Sequence, residues 1–330
     1  MMTRILFVER KRSHFVSLEN VFRQIARGLD SEEFETEFQQ VSFSNDLLSM
    51  IKNLLLFRPK AADIFHITGH IHYITMLLPP ACTVLTIHDV AFLYTRSGIR
   101  RFVLKKLLLD WPLKRLRYVT VISQFTKDEI VRQTAVDPRK ITVIENPLGE
   151  HLKPRPKMEF NAECPTILQI GTMDNKNIPR LAESLAGVTC KLRVIGPMTD
   201  HQIECLNNHG VDYENLSGLD DNQMVEEYQK ADMLVFCSTY EGFGLPIIEA
   251  QRMGTPVITS NLSPMKEVAG DGALLVDPTD SDSIRDGIIT LIENAGLRSS
   301  LVIKGTANVN RFDAETISGQ FAEYYRRVRN

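Results

Sequence analysis

The strongest constraint on this chain is a rhythm: short β-branched runs alternate with amphipathic stretches, stop at a proline-rich break, and then begin again. Before the break the runs fall at 4–8, 63–67, 83–87, 118–122 and 141–144, and after it at 166–170, 191–195, 232–237, 256–260 and 273–276. Strands that alternate with helices specify parallel sheets covered by helices on their faces. Between the first two runs, Val21, Phe22, Ile25 and Leu29 recur at helical spacing and predict a helix with one buried face. The break itself, from Gly149 to Pro165, holds three prolines and no period, as a linker does. A length of 330 residues suits two domains. The division expected is 1–155 and 156–313, followed by a terminal helix at about 314–330 that carries Ile317, Phe321, Tyr324 and Tyr325 and is free to pack back on the first domain. The fold class expected is α/β, with two Rossmann-like domains facing each other across a cleft. In such an arrangement a ligand lies at the carboxyl ends of the strands.

Charge and cysteine usage narrow the function classes. A formal net charge of -3 and a pI near 6.3 provide no global basic field for nucleic acid. The cysteines, Cys82, Cys164, Cys190, Cys205 and Cys237, are scattered without paired spacing, which suits a reducing compartment. The apolar run Ile5–Val8 is too short for a signal-peptide core, and no apolar run reaches the roughly 20 residues that span a bilayer. A cytoplasmic protein is expected.

The densest chemistry lies in STYEGFGLPIIEAQRMGTPVITS, residues 238–260. Pro246 stands where a helix can begin, and Gly254 follows Met253 where it can stop. Glu241 is then in a strand-to-helix loop, Gly242 and Gly244 let backbone approach a ligand, and Glu249 is inside the short helix. Free N–H groups at such a helix start attract phosphate, whereas carboxylates repel it. The two acids therefore need neutral, hydroxyl-rich partners, and a nucleotide-sugar supplies both its diphosphate and its sugar hydroxyls. Taken singly each glutamate reads as a solvated charge; the glycine-bracketed junction reverses that reading.

E-G-F-G-L-P-I-I-E-A, followed by M-G-T-P-V-I and P-M-K-E-V-A-G-D-G-A-L-L-V-D-P, resembles the donor-site signature of the retaining GT-B glycosyltransferases of family 4. The likeness covers the second half and, more weakly, much of the first. It implies that Glu249 holds the ribose, Glu241 contacts the donor sugar hydroxyls, and the backbone of Phe243, Gly244 and Leu245 lies against the sugar-phosphate. GTMDNKN resembles the family's glycine-led loop, which implies Gly171 and Thr172 beside the diphosphate and Lys176 on it. TIHDV implies His88 near the donor sugar with Asp89 orienting its loop; Ser217-Gly218-Leu219 resembles the loop under the base, with Leu219 as its contact, and Asn146 matches a structural loop asparagine. The chain departs from the pattern twice: Thr172 stands where many relatives have arginine, and the loop Glu9-Arg10-Lys11-Arg12-Ser13-His14, followed by Ser17-Leu18-Glu19, lacks their glycine pair.

The resemblance implies transfer of a hexose, mannose or glucose-type, from a UDP-sugar or GDP-mannose to a hydroxyl acceptor on a glycan or a lipid-linked chain. Retention, metal independence and the absence of any further cofactor follow from it too. Two rival readings stay open: a catalytically silent nucleotide-sugar-binding partner, and another GT-B enzyme such as an epimerase or phosphorylase. Catalytic roles are expected for Glu241, Lys176 and His88.

Other motifs carry less. His66, His70 and His72 lack the spacing and the extra ligands of a metal shell, and a place for His70 or His72 lining the acceptor cleft is the better reading. Asp280-Ser281-Asp282 formally spells a metal-diphosphate motif but precedes a helical run, so capping is the expected role. Ser123 is read likewise as a helix cap. No G-x-G-x-x-G, P-loop lysine motif or nucleophile elbow is present. From Arg96 to Arg117, eight Lys or Arg and one acid interleave with Phe102, Leu104, Leu107 and Trp111. That segment reads equally as a peripheral contact with the inner face of an anionic membrane and as a helix pair with a solvated basic face.

Overall fold

Strand β1 (Thr3–Glu9) shows how the first sheet is built, because its two faces are both buried and go to different places. Leu6 and Val8 join the main apolar cluster with Ile67, Leu85 and Val119, while Phe7 faces Phe22 and the aromatic end of the chain. A strand apolar on both faces belongs in the middle of a parallel sheet. The computed structural model describes residues 2–11, 17–44, 46–153 and 159–329; Arg12, Ser13 and His14 of the first loop, and the side chains of Ser17, Leu18 and Glu19, lie outside the description. With β2 (Phe34–Gln40), β3 (Ile64–Ile67), β4 (Thr83–Ile87), β5 (Tyr118–Val121) and β6 (Ile141–Val143), β1 forms a six-stranded parallel sheet in the order β2-β1-β3-β4-β5-β6. The register sets Phe7 between Phe38 on one side and His66 on the other.

The second sheet contains β7 (Thr166–Ile170), β8 (Lys191–Ile195), β9 (Tyr213–Leu216), β10 (Met233–Phe236), β11 (Val257–Ser260) and β12 (Leu274–Val276), all parallel in the order β12-β11-β10-β7-β8-β9. Its core gathers Ile167, Leu192, Val194, Val235 and Ile258 under the flanking helices. Two strands, β2 and β9, escape the sequence reading, and both are sheet edges. Their sequences, FETEFQQ and YENL, face solvent along much of their length and need no continuous apolar run.

The chain divides into two compact units, residues 1–147 with 312–330, and residues 148–311. The second unit thus begins at Leu148 rather than at 156. Leu148 and Leu152 are buried in it, and the Leu152 carbonyl accepts from Arg252 Nε at 3.4 Å.

The terminal helix, Ala314–Arg329, belongs to the first unit. It buries Ile317, Phe321, Tyr324, Tyr325 and Val328. Tyr325 reaches under the sheet, where its hydroxyl hydrogen-bonds His66 Nδ1 at 2.6 Å, and His66 Nε2 meets Thr86 Oγ1 at 2.7 Å. Ser318 donates to the Ile25 carbonyl at 3.1 Å, so close that a Cβ on Gly28 would stand 2.3 Å from the Ser318 hydroxyl. His66 is therefore a core residue, spent on holding this helix.

The basic segment forms a helix, Gly98–Lys105, a π-helical turn, Lys106–Asp110, and a second helix, Trp111–Arg115. Leu108, Leu109, Leu113 and Leu116 enter the core, and Asp110 takes Lys105 at 2.7 Å and Lys106 at 2.8 Å. Ile99, Phe102 and Trp111 face outward. Among the described residues no helix is long and apolar enough to cross a membrane. Ser123 accepts from Thr126 N–H at 3.1 Å and Asp280 from Asp282 N–H at 3.0 Å, so both cap helices.

Candidate active site

In the second sheet the chain runs outward from β7 through β8 to β9, returns to the middle, and runs outward the other way from β10 through β11 to β12. Strands β7 and β10 are neighbours, so the loops leaving their carboxyl ends diverge and open a crevice between them. Those two loops are GTMDNKN and STYEGFG, the segments that carry the sequence signature.

The loops are tied to one another across the crevice. Thr239 N–H donates to the Asn175 carbonyl at 2.9 Å, and Asn175 Nδ2 donates to the Tyr240 carbonyl at 2.7 Å. Asn177, the one non-glycine residue with positive φ among the described residues at 63°, donates to the carbonyls of Cys237 at 3.1 Å and Pro278 at 2.7 Å. On this frame Lys176 Nζ meets Glu241 Oε1 at 2.5 Å and lies 4.5 Å from the centre of the Phe236 ring. Both charged side chains are about 15 % exposed (15 % and 14 %), so the pair sits at the mouth of the crevice and is largely withdrawn from water. Gly171, at φ +88°, makes room for it: a Cβ there would stand 2.7 Å from Lys176 Cε.

Gly244 begins the helix Leu245–Arg252 at φ 111°, a backbone that an L side chain resists, and among the described residues no side-chain cap is made at this helix start. Pro246 lies in the first turn and Gly254 follows the helix at φ +70°. Phe243 is buried, while Leu245 is half-buried. Gln251 fastens the helix from below, donating to the Ala269 carbonyl and accepting from Asn308, each at 2.8 Å.

Glu249, on the same helix, accepts a 2.6 Å hydrogen bond at Oε2 from the hydroxyl of Tyr228, a fully buried residue on the helix Asp221–Lys230. Burial pushes the Glu249 carboxyl above its ordinary value, and the Tyr228 hydroxyl and His151 pull it back down. Tyr228 is not among the residues expected from sequence. Nothing distinguishes a buried helical tyrosine from any other core aromatic until its partner is known.

Thr172 and Leu219 sit beside this frame. The Thr172 hydroxyl donates to the Pro197 carbonyl at 2.6 Å, and its own carbonyl accepts from Gln202 Nε2 at 2.7 Å. Thr172 thus fastens its loop to the next one. Leu219 is half-buried, just beyond β9 and between Gly218, at φ +70°, and Asp220, which caps the following helix.

His88 lies in the first unit, just past β4. Its Nε2 is 2.9 Å from the Thr68 carbonyl and so carries the proton, leaving Nδ1 as a buried acceptor without a partner among the described residues. Burial, reinforced by His70, pushes His88 down to about 4, so the ring is neutral at physiological pH. Asp89 orients the loop as expected, taking Ala91 N–H at 2.9 Å and His70 at 3.3 Å. Burial works against the ionised Asp89, but His70 and the Ala91 N–H outweigh it and hold the carboxyl well below its usual range. His72 is fully buried with Nδ1 2.6 Å from the Leu108 carbonyl, whereas His70 is half-buried. Among the described residues no group of three or more His, Cys, Asp or Glu is placed to hold a metal ion.

Two family models account for most of the chain: Glycosyltransferase Family 4 matches residues 19–148, and Glycosyl transferases group 1 matches residues 153–307. The chain belongs to the family 4, group 1 glycosyltransferases. Similarity to the O-antigen chain mannosyltransferase B of Escherichia coli is 27 % identity over 271 residues, 74 % of this chain and 70 % of that one. A glycosyltransferase crystal structure from Rickettsia africae superposes with a TM-score of 0.78 at 19 % identity, covering 99 % of this chain and 98 % of the other. The Anabaena HepE structure in complex with UDP and glucose matches with a TM-score of 0.78 at 17 % identity, covering 97 % and 98 %. At these identities the structural likeness establishes the GT-B fold, α/β with two parallel six-stranded sheets.

Proposed function

We propose that this glycosyltransferase moves a hexose from a nucleoside diphosphate sugar to a hydroxyl acceptor, with retained anomeric configuration and without a metal ion. The observation that carries the reading is the Lys176–Glu241 pair at the β7/β10 crevice beside the uncapped helix start at Gly244. Phosphate oxygens suit that helix start, and Lys176 supplies a full positive charge within the same loops. Positioned electrostatic groups of this kind contribute about 3 kcal/mol to a departing anion. With that charge in place, the diphosphate needs no cation to leave.

Glu249 Oε1 and Glu241 are acceptors for the ribose and the sugar hydroxyls, in keeping with the relatives' mannosyltransferase activity and the UDP and glucose in the HepE structure. His88 Nδ1, a neutral acceptor, is assigned to a sugar hydroxyl as well. Gly171, Thr172, Phe243, Gly244 and Leu245 supply backbone around the phosphates, and Leu219 lies against the base. The bond between the anomeric carbon and the phosphate oxygen breaks as the acceptor oxygen bonds on the same face, and the departing phosphate takes the acceptor proton. The acceptor is a glycan or lipid-linked chain, and the outward Ile99, Phe102 and Trp111 among Arg96, Arg100, Arg101 and Lys114 suit contact with an anionic membrane surface.

Calorimetric titration with UDP and GDP, with EDTA present, tests the donor site in wild type and Glu249→Ala. Tight binding of one nucleotide, lost in the variant, is expected; equal binding by both proteins refutes the site. Proton NMR of the product then reads the anomeric configuration, and an inverted product refutes the mechanism. A silent binding partner is the second reading, favoured by Thr172, whose hydroxyl is spent on Pro197 at a position where the family resemblance implies arginine in many members; nucleotide binding without transfer to any acceptor would establish it. Co-sedimentation with vesicles that is independent of anionic lipid would remove the membrane contact.

A further inference from the structure

We infer that Tyr228 is a positioning residue for the nucleotide: its hydroxyl fixes the Glu249 carboxylate so that Oε1 is presented to the ligand, an inference that rests on the donor-site reading above. The geometry is specific. Tyr228 is fully buried, its hydroxyl donates to Glu249 Oε2 at 2.6 Å, and a phenol held there has no solvent to compete for its proton. Its backbone is fastened to the segment that follows the Glu249 helix, because Thr255 Oγ1 donates to the Tyr228 carbonyl at 3.1 Å while Thr255 N–H donates to Ala250 at 2.9 Å. The phenol and the carboxylate are thus held by two helices that are locked together. A glutamate side chain left alone has three rotatable torsions, and one short bond at Oε2 removes most of that freedom before any ligand arrives.

The charged and titratable groups around the carboxylate come from three elements. Tyr228 and Asp221 lie on the helix Asp221–Lys230, His151 on the segment after Leu148, and Arg252 on the same helix as Glu249 but directed to the Leu152 carbonyl. Asp221 disfavours ionisation of Glu249, whereas Tyr228 and His151 favour it; of these only Tyr228 is in hydrogen-bond contact. The tyrosine itself stays protonated throughout, since burial and the neighbouring Glu249 carboxylate push its hydroxyl well above the ordinary phenol value. It is therefore a permanent donor. A hydrogen bond to a charged group is stronger than one between neutral groups, and losing this one from a buried carboxylate both frees its rotamer and favours its protonation.

The test is calorimetric titration with UDP and GDP between pH 5.5 and 8.5 on wild type, Tyr228→Phe, Glu249→Gln and the double variant. Phenylalanine keeps the ring and the packing, and a thermal melt verifies the fold. For the nucleotide that wild type binds, Tyr228→Phe is expected to weaken affinity about tenfold at pH 7 and to move the acid limb of the binding profile upward by roughly one pH unit. In the Glu249→Gln background the acid limb disappears, and adding Tyr228→Phe costs at most about twofold more. A Tyr228→Phe profile that superposes on wild type overturns the inference while the donor site stands. Equal weakening by Tyr228→Phe in both backgrounds also overturns it, because the tyrosine would then act through packing. Wild type and Glu249→Gln binding alike at every pH would overturn the donor site and this inference together.

Discussion

Replacing Lys176 by methionine keeps the length of the side chain and removes the charge that Glu241 faces. Breaking a buried ion pair by deleting one partner costs about 3–5 kcal/mol, because the other charge is left without compensation. Here the two side chains keep 15 % and 14 % exposure, and Asn175 Nδ2 still reaches Glu241 Oε1 at 3.3 Å, so a loss of about 2 kcal/mol is expected. The double variant Lys176→Met/Glu241→Gln removes both charges and leaves an amide beside Asn175, and its stability should return to within about 1 kcal/mol of wild type. The chain has a single tryptophan, Trp111, which lies in the first unit, so fluorescence does not report on this pair. Hydrogen exchange of the β7 and β10 amides does. UDP binding gives the second arm of the same experiment. Lys176→Met should weaken UDP at least tenfold, whereas Glu241→Gln frees the lysine from its internal partner and should tighten UDP severalfold while slowing sugar transfer. Equal stability losses in Lys176→Met and the double variant would refute the coupling, and a loss of UDP affinity in Glu241→Gln would refute the assignment of Lys176 to the diphosphate.

Three further perturbations address other parts of the molecule. Tyr325→Phe strands His66 Nδ1 in the core and should cost about 1–3 kcal/mol, read as a lower urea midpoint of Trp111 fluorescence; an unchanged midpoint would show that the hydroxyl adds nothing. His66 and His72, held at about 3, and His88, at about 4, are all lowered by burial, so the first unit is fully stabilised above about pH 6.5 and loses that stability as pH falls toward those values. The loss is up to about 1.4 kcal/mol per pH unit for each ring, and a flat stability curve from pH 7 to 5 would contradict it. Gly244→Ala must accept φ 111° with its Cβ 3.0 Å from Ile247 Cδ1, which should cost about 1–3 kcal/mol and weaken nucleotide binding; normal affinity in this variant would mean that the helix start tolerates a shift.

What the sequence could and could not reveal follows from how local each signal is. Strands β7 and β8 match the expected ranges residue for residue, because TILQI and KLRVI gather apolar and β-branched residues in a run of strand length even with Gln169, Lys191 and Arg193 among them. Strands β2 and β9 do not, because an edge strand is half solvated and FETEFQQ carries its two phenylalanines four residues apart among polar ones. At the site, the sequence singles out Gly171, Lys176, Glu241 and Gly244 in the loops and Glu249 in the helix because each stands in a short, ordered motif of glycines, acids and proline, and the structure sets the two loops side by side. Their partners are not legible. Asn175 and Asn177 join loops sixty or more residues apart, and Tyr228 meets Glu249 from a different helix, so only the folded chain pairs them. Thr172 illustrates the opposite limit: the sequence shows that it is not arginine, and only the structure shows that its hydroxyl is already engaged by Pro197.

The terminal helix places the two ends of the first unit on either side of the entire second unit in the chain. Synthesis runs from one end to the other, so Phe22 and the Nδ1 face of His66 emerge long before Phe321 and Tyr325 exist to cover them. The second unit, made from one continuous stretch, can close while the first still waits. Nascent chains halted before residue 314 should therefore hold an open apolar sheet face beside a finished neighbour. The stretch of synthesis during which this protein is exposed to aggregation is set by the length of a domain that has no need of the missing helix.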